Sequence, residues 1–354
     1  MPHLVAAPDK FRGTASARQV AAAAGRAAAA AGWTVDEVPL ADGGEGTLEV
    51  VGGLVNLAVV TGPLGPPVAA EWRLLPPTPT GGPTTAVIEM ARAAGRALLP
   101  SPVGDEPLSA STAGVGELVR TAVGAGARRV IVAVGGSATT DGGWGAVEAV
   151  GSVESLTGVE LLVAADVRTP FRQAATEFGP QKGASPAQVV QLERRLAELA
   201  DTYRARFGVD VDQIEGAGAG GGLAGGLAAL GASVVPGFDL LADLVGLDDR
   251  LAAADLVLTG EGRLDRSSFQ GKVVGGVLQR VARQRGRRVP VLCVVGEVAP
   301  TVTPAAAKFA ATAGPGPGDD VRIVALADVA GPGRARTETV ALVESVVAGY
   351  LAEH

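Results

Sequence analysis

The sequence is organised around one apolar run that ends in a loop rich in glycine and hydroxyl groups. Residues 130–134 are five apolar, mostly β-branched residues, which predicts a buried strand in a parallel sheet. The central loop, residues 135–143, reads GGSATTDGG, and a helical pattern begins near Trp144. A strand, a glycine loop and a helix start together point backbone N–H groups at an anion. The same pattern also fits a tight turn in which Ser, Thr and Asp cap the helix, so both interpretations stand at this point.

Asp141 in the central loop does not fit a site made only of N–H groups. A carboxylate beside a phosphate needs a metal ion between the two groups or a proton to accept. Asp141 is therefore a candidate metal ligand or catalytic base.

The composition restricts the class of protein. Of the 354 residues, 47% are hydrophobic and 19% are charged, which is enough apolar material for one large or about two α/β domains. The net charge is −7 and no basic run is interleaved with aromatic residues, so nucleic-acid binding is not expected. Cys293 is the only cysteine and the histidines are His3 and His354. We therefore expect no disulfide framework, no cysteine metal site and no histidine-dependent catalysis.

No stretch of the sequence is typical of a membrane span or a secretory signal. The alanine-rich run 20–31 is interrupted by Gly25 and Arg26 and is too short to cross a bilayer. The amino terminus lacks the charged start and long apolar run of a signal peptide. We expect a cytoplasmic protein that acts on a small-molecule substrate without contacting membranes, and a homodimer is left open.

Polar residues follow most of the predicted strands at the point where each strand ends. Strands are predicted over residues 3–7, 33–40, 71–75, 84–90, 130–134, 158–165, 254–259, 289–295 and 321–326. Ligands of α/β proteins bind at the carboxyl edge of the sheet, so these strand ends form the candidate site. They carry Asp9, Asp42, Glu45, Asp141, Asp166, Glu261 and Asp265 as carboxylates and Lys10, Arg12, Lys182, Arg263 and Lys272 as cations, with Glu89 as a minor candidate.

A second glycine-rich segment, residues 216–222, reads GAGAGGG and precedes an apolar helix pattern. A flexible linker usually contains Ser and continues into polar sequence. This segment is therefore predicted to be a packed loop that approaches a ligand.

Carboxylates, cations and glycine loops in combination favour phosphoryl transfer. Mg²⁺ and cations would spread the phosphate charge, N–H groups would hold the phosphates, and an Asp would accept the proton of the acceptor hydroxyl. The sequence contains no GxxxxGK[ST] loop, no kinase HRD set and no GxSxG elbow. The common phosphate-binding and hydrolase motifs are thus excluded.

Several motifs occur in one order along the chain. They include APDKFRG at 7–13, DGGEGT at 42–47, GGSAT at 135–139, FGPQKGA at 178–184 and TGEGRLD at 259–265. Together they resemble the class I glycerate kinases of bacteria, the glycerate 2-kinase family, from residue 4 to about residue 300. The resemblance implies phosphorylation of D-glycerate, usually at the 2-hydroxyl, with ATP and Mg²⁺ as cofactors.

The resemblance also implies a domain organisation. It predicts two α/β domains, one Rossmann-like with a parallel sheet and the other inserted in it, with the active site in the cleft between them. After Val59 the sequence becomes rich in Gly and Pro, which indicates loops and a crossover from one domain to the other. The predicted boundaries are residues 1–60 plus 246–354 for the Rossmann-like domain and 61–245 for the inserted domain.

Roles follow from the resemblance for the residues at matching positions. The catalytic candidates are Asp9, Lys10, Asp42, Asp141, Lys182 and Arg263. The nucleotide-binding candidates are Gly135, Gly136, Ser137, Thr139, Gly218, Gly220, Gly221, Glu261 and Lys272. The metal-binding candidates are Asp42, Glu45 and Asp166. Which carboxylate is the base and which binds Mg²⁺ is left open.

The segment that joins Val150 to Asp166 is shorter than in the family, which leaves the acceptor open. The alternatives are D-glycerate, another hydroxy acid or biosynthetic alcohol, and a non-catalytic homologue that binds a nucleotide. The many charges at the strand ends argue against the last alternative, because a protein that only binds has no need of them.

Overall fold

The computed structural model describes residues 1–77, 81–99, 106–284, 288–300, 302 and 321–353. Its strands are β1 (His3–Ala6), β2 (Thr34–Glu37), β3 (Leu54–Thr61), β4 (Pro67–Leu75), β5 (Thr85–Glu89), β6 (Arg129–Ala133), β7 (Glu160–Ala165), β8 (Ser233–Pro236), β9 (Leu256–Leu264), β10 (Val291–Val298) and β11 (Val321–Ala325). Its α-helices are α1 (Ala17–Ala30), α2 (Thr47–Val51), α3 (Ala91–Ala94), α4 (Glu106–Ser109), α5 (Ala113–Gly124), α6 (Trp144–Val150), α7 (Ala174–Phe178), α8 (Pro186–Phe207), α9 (Leu223–Ala229), α10 (Gly237–Leu244), α11 (Leu247–Ala253), α12 (Val273–Arg283), α13 (Leu326–Ala330), α14 (Pro332–Thr337) and α15 (Thr339–Glu353). The predicted α/β class is confirmed. None of the described helices combines the length and apolar character needed to cross a membrane.

The chain divides into two compact units, and the second is one continuous segment. The first unit comprises Met1–Asp42 and Phe238–His354, and the second comprises Gly43–Gly237. The sequence-based boundaries lie at 60/61 and 245/246. Strand β3, which those boundaries assign mostly to the first domain, pairs with β4 in the sheet of the second unit.

The sheet of the first unit is wholly parallel. Its strand order is β11-β10-β9-β1-β2, with β1 between β2 and β9. Counted within this unit alone, the order is 2-1-3-4-5, so the direction in which strands are added reverses between β1 and β9. Open sheets of this kind bind ligands outside the carboxyl ends of the strands at that reversal point.

Apolar side chains cover both faces of this sheet, because successive residues of a strand point to opposite faces. Leu4 and Leu258 belong to one core, together with residues of α1 and α15. Val5 and Val257 belong to the other core, together with residues of α11 and α12. Burial on both faces explains why these strands read as continuous apolar runs in the sequence.

The sheet of the second unit is mixed. Its order is β3-β4-β5-β6-β7-β8. Strands β5 to β8 run parallel to one another, whereas β4 is antiparallel to both β3 and β5. One core includes Ile88, Val132 and Val163 of the parallel strands. The central loop follows β6, in the middle of the parallel part.

Strands β3 and β8 were not predicted. On one face of β3, Val55, Leu57 and Val59 are exposed by 61, 71 and 76%. Sequence-based prediction of a half-buried strand expects apolar residues on the buried face, and β3 does not follow that pattern. Strand β8 has only four residues and ends in Pro236, a residue that is unfavourable inside a sheet.

The predicted strand 254–259 is longer in the structure, where β9 extends to Leu264. The predicted end of this strand at Thr259 is therefore wrong, because β10 continues to pair with β9 at Gly260, Glu261 and Arg263. A side chain on Gly260 would overlap the carbonyl oxygen of Val294, so glycine allows this close pairing. Glu261 and Arg263 consequently lie on a strand instead of a loop.

Arg280 of α12 connects this helix to the segment that follows the second unit. Its side chain is 8% exposed and forms ion pairs with Asp239 at 3.0 Å, Asp243 at 2.7 Å and Asp248 at 3.1 Å. The guanidinium also lies over the Phe238 ring, 5.5 Å from the ring centroid. These contacts fix α10 and α11 against α12, whose amino end lies at the candidate site.

Replacing Arg280→Met should lower the free energy of unfolding by about 2 kcal/mol, because three aspartates lose their shared cation. The partners are more than half exposed, which keeps the loss below that of a fully buried pair. Urea denaturation measures the change. The control Arg283→Met, on an exposed side chain of the same helix, should change stability by less than about 0.5 kcal/mol. Equal effects of the two variants would contradict the structural role of Arg280.

Candidate functional site

Three acidic residues of the first unit lie together where the strand order reverses. Asp9 follows β1, Asp42 follows β2 and Glu261 lies on β9. The Asp9 N–H donates to the carbonyl oxygen of Gly260 at 2.8 Å, which places Asp9 beside the carboxyl end of β9. The charges of Asp42 and Glu261 both act on the ionisation of Asp9, so the three carboxyl groups form one cluster.

Burial raises the pKa of Asp9 from 3.8 to about 7, and repulsion from Asp42 adds to the effect. The backbone N–H of Lys10 donates to Asp9 Oδ1 at 2.7 Å and, with the Lys10 charge, opposes the rise in pKa. Asp9 therefore exchanges protons near neutral pH, which is the range suited to a general base.

Burial also raises the pKa of Glu261, from 4.5 to about 7, against a hydrogen bond with Ser268 and the charge of Lys272. Glu261 Oε1 is buried and has no hydrogen-bond partner among the residues that the structure describes. A buried carboxylate oxygen without a donor costs free energy unless a cation or a proton meets it. The oxygen is thus placed to receive one or the other.

The carboxyl cluster has features that suit Mg²⁺. Among the described residues, no group of three or more His, Cys, Asp or Glu side chains is arranged as a complete set of metal ligands. Mg²⁺ needs no such set, because it is usually held by one or two carboxylates and completes its shell with water and phosphate oxygens. The unpartnered oxygen of Glu261 and the nearby Asp42 fit that requirement. Of the other predicted metal ligands, Glu45 and Asp166 are exposed residues of the second unit.

The cations of the first unit differ in their surroundings. Lys272 precedes the first residue of α12, and its charge acts on both Glu261 and Asp265. Arg263 is exposed on β9 and pairs with Glu297 at 3.5 Å. Asp265 accepts from Ser267 N–H at 2.7 Å, so it begins the short helical turn that precedes α12. Arg12 is exposed beyond β1.

Asp141 holds the central loop of the second unit in place. Its Oδ2 accepts from Thr112 N–H at 2.8 Å, Thr112 Oγ1 at 2.8 Å and Gly145 N–H at 3.2 Å, and its Oδ1 accepts from Gly143 N–H at 3.1 Å. The residue is 8% exposed. Both oxygens are thus occupied by donors of the chain at the starts of α5 and α6, which favours the capping interpretation over metal binding or proton transfer.

Further contacts support the central loop from other elements. Tyr203 of α8 donates from its hydroxyl to the carbonyl oxygen of Gly142 at 2.8 Å, and burial raises the pKa of this hydroxyl. Arg96 N–H donates to the carbonyl oxygen of Gly136 at 3.0 Å. Tyr203 was missed by sequence reasoning, although it lies four residues beyond Leu199, a spacing that places both residues on one face of α8.

Lys182 and the second glycine-rich segment also meet the central loop. The Lys182 ammonium donates to the carbonyl oxygen of Thr139 at 2.6 Å, and burial lowers its pKa to about 7 while the charge of Asp141 opposes the shift. Gly221 accepts from Gly142 N–H at 3.1 Å. The segment is packed as predicted, with Gly218, Gly220 and Gly221 all buried.

The DGGEGT segment lies against the start of the central loop. Gly135 N–H donates to the carbonyl oxygen of Gly43 at 3.4 Å, and a side chain at Gly136 would overlap the carboxyl group of Glu45. Glu89 is buried and accepts from Leu48 N–H at 2.9 Å, so it fixes the start of α2 beside Glu45. Ser137 pairs with Gly95 through an isolated bridge. Thr139 Oγ1 is buried, and no atom in the described part of the chain forms a hydrogen bond with it.

Each of the two units carries a feature that indicates the class of protein. A parallel sheet with carboxyl groups at its reversal point, and a glycine loop between a parallel strand and a helix start, are typical of α/β proteins that bind small anionic ligands. The model of the glycerate kinase family matches residues 4–155 and 151–316. The chain belongs to the glycerate kinase family, which confirms the resemblance seen in its motifs.

Several individual proteins are similar to this chain over most of their length. The glycerate 2-kinase of Escherichia coli is 36% identical over 83% of this chain and 85% of that protein. The glycerate kinase of Bacillus subtilis is 35% identical over the same shares, 83% and 85%. The uncharacterized protein Mb2228c of Mycobacterium bovis is 39% identical over 83% of this chain and 79% of its own. A crystal structure described as a candidate glycerate kinase 2 of Salmonella typhimurium LT2 has a TM-score of 0.77 and 31% identity, and covers 99% of both chains. These relatives support a kinase.

Asp141→Asn should lower the free energy of unfolding by roughly 2–4 kcal/mol, because the new amide group faces N–H and O–H donors that need an acceptor. Chemical denaturation measures the loss. Asp166→Asn changes an exposed carboxylate after β7 and serves as the control, with an expected change below about 0.5 kcal/mol. An Asp141→Asn protein as stable as the control would show that the four hydrogen bonds do not hold the loop.

Asp9→Asn should be more stable than the wild type at pH 8, by roughly 1–3 kcal/mol, and about equally stable at pH 4. The folded protein raises the pKa of Asp9 to about 7. The stability that this group contributes is therefore complete below its unfolded pKa and is lost as the pH rises through about 7. Unfolding at both pH values measures the difference.

Asp265→Asn provides a control of opposite sign for this experiment. Hydrogen bonding to Ser267 lowers the pKa of Asp265, so its contribution is present at neutral pH and is lost as the pH falls through the folded pKa. Asp265→Asn should therefore be less stable than the wild type at pH 8. The same sign for both variants would contradict the assignment of the raised pKa to Asp9.

Proposed function

We propose that this protein is a kinase that transfers the γ-phosphoryl group of ATP to D-glycerate in the presence of Mg²⁺, at the 2-hydroxyl. Membership of the glycerate kinase family and relatives named glycerate kinase and glycerate 2-kinase support the reaction class. The observation that carries the proposal is the cluster of Asp9, Asp42 and Glu261 at the reversal point of the first sheet.

Asp9 is the proposed general base. Its raised pKa of about 7 lets it accept the proton of the attacking hydroxyl near neutral pH and release it afterwards. In the step, the O–H bond of glycerate breaks and its proton moves to the Asp9 carboxylate. The hydroxyl oxygen forms a bond to the γ-phosphorus, and the bond from that phosphorus to the leaving ADP oxygen breaks.

Asp42 and Glu261 are the residues of the first unit that would hold Mg²⁺. When bound, the ion would neutralise charge on the phosphate oxygens. The proposal follows from the carboxyl pair and from the unpartnered oxygen of Glu261, which needs a positive group.

The cations of the same strand ends are assigned to the anionic parts of the substrates. Arg12 suits the glycerate carboxylate, because a guanidinium binds a carboxylate through two parallel hydrogen bonds. Lys10 and Lys272 are assigned to the phosphates, with Lys272 at the start of α12, where the helix end adds partial positive charge. The N–H groups of the central loop and of segment 216–222 are assigned to the nucleotide phosphates.

One assay tests the reaction and its acceptor. The purified protein is incubated with ATP and Mg²⁺ and with D-glycerate, L-glycerate or other hydroxy acids, and ADP formation is followed. D-Glycerate should be the best acceptor. Turnover with another hydroxy acid alone would keep the kinase and change the acceptor, while ATP binding without any turnover would indicate the non-catalytic alternative.

Phosphorus NMR of the product identifies the hydroxyl group that is phosphorylated. A phosphate on carbon 2 couples to one proton and gives a doublet, whereas a phosphate on carbon 3 couples to two protons and gives a triplet. We expect the doublet.

Asp9→Asn should lower kcat about 10³-fold, because the proton of the attacking hydroxyl loses its acceptor. In the wild type, kcat should rise with pH through about 7 as Asp9 loses its proton. Steady-state kinetics across pH measure both effects. Asp36→Asn is the control, since Asp36 lies within β2, before the carboxyl end of that strand, and pairs with Arg250 at 2.9 Å. Its kcat should stay within about two-fold. Retention of activity by Asp9→Asn would exclude Asp9 as the base.

A further inference from the structure

Lys182 is a buried cation with an unusually small set of partners. Its side chain is 4% exposed, and its only hydrogen bond to the described residues goes to the carbonyl oxygen of Thr139 at 2.6 Å. The ammonium lies 5.8 Å from the centroid of the Phe178 ring, and Asp141 is the charged group that acts on it.

Gly221 closes the other side of Lys182. A side chain at residue 221 would overlap the Thr139 carbonyl oxygen and lie 2.9 Å from Lys182 Nζ. The φ angle of Gly221 is +71°, a backbone conformation that residues other than glycine rarely adopt. Thr139, Lys182 and Gly221 thus form a three-way junction between the central loop and segment 216–222.

The junction fixes a peptide plane of the central loop. The carbonyl of Thr139 and the N–H of Thr140 belong to the same planar, trans peptide group, so they point in opposite directions. Because the carbonyl is held inward by Lys182, the N–H of Thr140 points away from the ammonium. Within the described residues, this N–H has no hydrogen-bond partner. Thr140 is 2% exposed, so this N–H is a buried donor that lacks an acceptor among the described residues, and such a donor favours a ligand that can supply one.

We propose that Lys182 is a positioning residue that locks the central loop to segment 216–222 and so aims the N–H of Thr140 at a phosphate oxygen of the nucleotide. This inference rests on the proposed function and deepens it. It changes the role that the motif match suggested for Lys182, which was to neutralise charge on the transferring phosphoryl group. Contact with that group would require the surrounding loops to open, because Nζ is enclosed by Thr139, Gly221 and Phe178.

The cost of burying Lys182 agrees with a dedicated role. Burial disfavours the ammonium and lowers its pKa to about 7, although Asp141 favours the charge. An apolar side chain of the same length would avoid that cost but could not hold a carbonyl oxygen.

Lys182→Met tests the proposal, because it keeps the length of the side chain and removes the donor. We expect KM for ATP to rise about 10-fold while kcat stays within about three-fold, the pattern of lost binding without lost transition-state stabilisation. A kcat loss of about 100-fold or more with KM unchanged would mean that Lys182 contacts the transferring group and would overturn the proposal. Unchanged kcat and KM would overturn it as well.

Amide hydrogen exchange of the ligand-free protein gives a readout that needs no turnover. In Lys182→Met, exchange should accelerate in residues 135–143 and in residues 216–222 together, because one junction holds both. Arg280→Met, which destabilises the first unit, is the control and should leave both segments unchanged. Faster exchange in neither segment, or in only one, would contradict the lock.

These measurements separate the proposal from the proposed function. If the wild type does not phosphorylate glycerate, the proposed function fails, while exchange and the Kd for ATP measured by calorimetry still decide the role of Lys182. If Lys182→Met does not fold, Lys182→Gln takes its place. Its shorter side chain cannot reach the Thr139 oxygen, and the same outcomes support or overturn the lock.

Discussion

The four hydrogen bonds that Asp141 accepts are the constraint on which the second unit depends. They bind the loop after β6 to the starts of α5 and α6, so three elements share one buried carboxylate. A charged acceptor with several donors is worth more than neutral bonds of the same number. With Tyr203 and Lys182 added, the loop is held from several directions before any ligand arrives. A loop that is already ordered loses little conformational entropy when a ligand binds to it.

The carboxyl groups of the first unit are in a different situation from Asp141. These groups are crowded, and one buried oxygen of Glu261 receives no donor from the described ranges of the chain. Such an arrangement opposes folding, and proteins tolerate it mainly at functional sites. The large apolar cores on both faces of the parallel sheet supply the stability that makes the cluster tolerable. In the second unit buried polar groups hold a loop in place, and in the first unit they form a crowded carboxyl cluster.

The sequence predicted those parts of the structure that depend on short stretches of chain. Two examples are strand β6 with its glycine loop and the positions of Asp9 and Asp42 after β1 and β2, which are local patterns. The roles of Asp141, Lys182 and Tyr203 depend on partners 29, 43 and 61 residues away. No periodicity shows such contacts. Burial was the deciding property, since it turns a lysine from a solvent-exposed charge into a support for a loop.

Insertion of the second unit has a consequence for the order of events during synthesis. Strand β1 lies between β2, which follows it closely, and β9, whose Thr259 bonds back to Ala7 across 252 residues. Residues 43–237 leave the ribosome as a complete unit before β9, the second neighbour of β1, has been made. Domains generally fold as units while the chain is being made. The first unit, although it contains the amino terminus, is therefore the last to fold, and its carboxyl cluster forms only after Glu261 has been added.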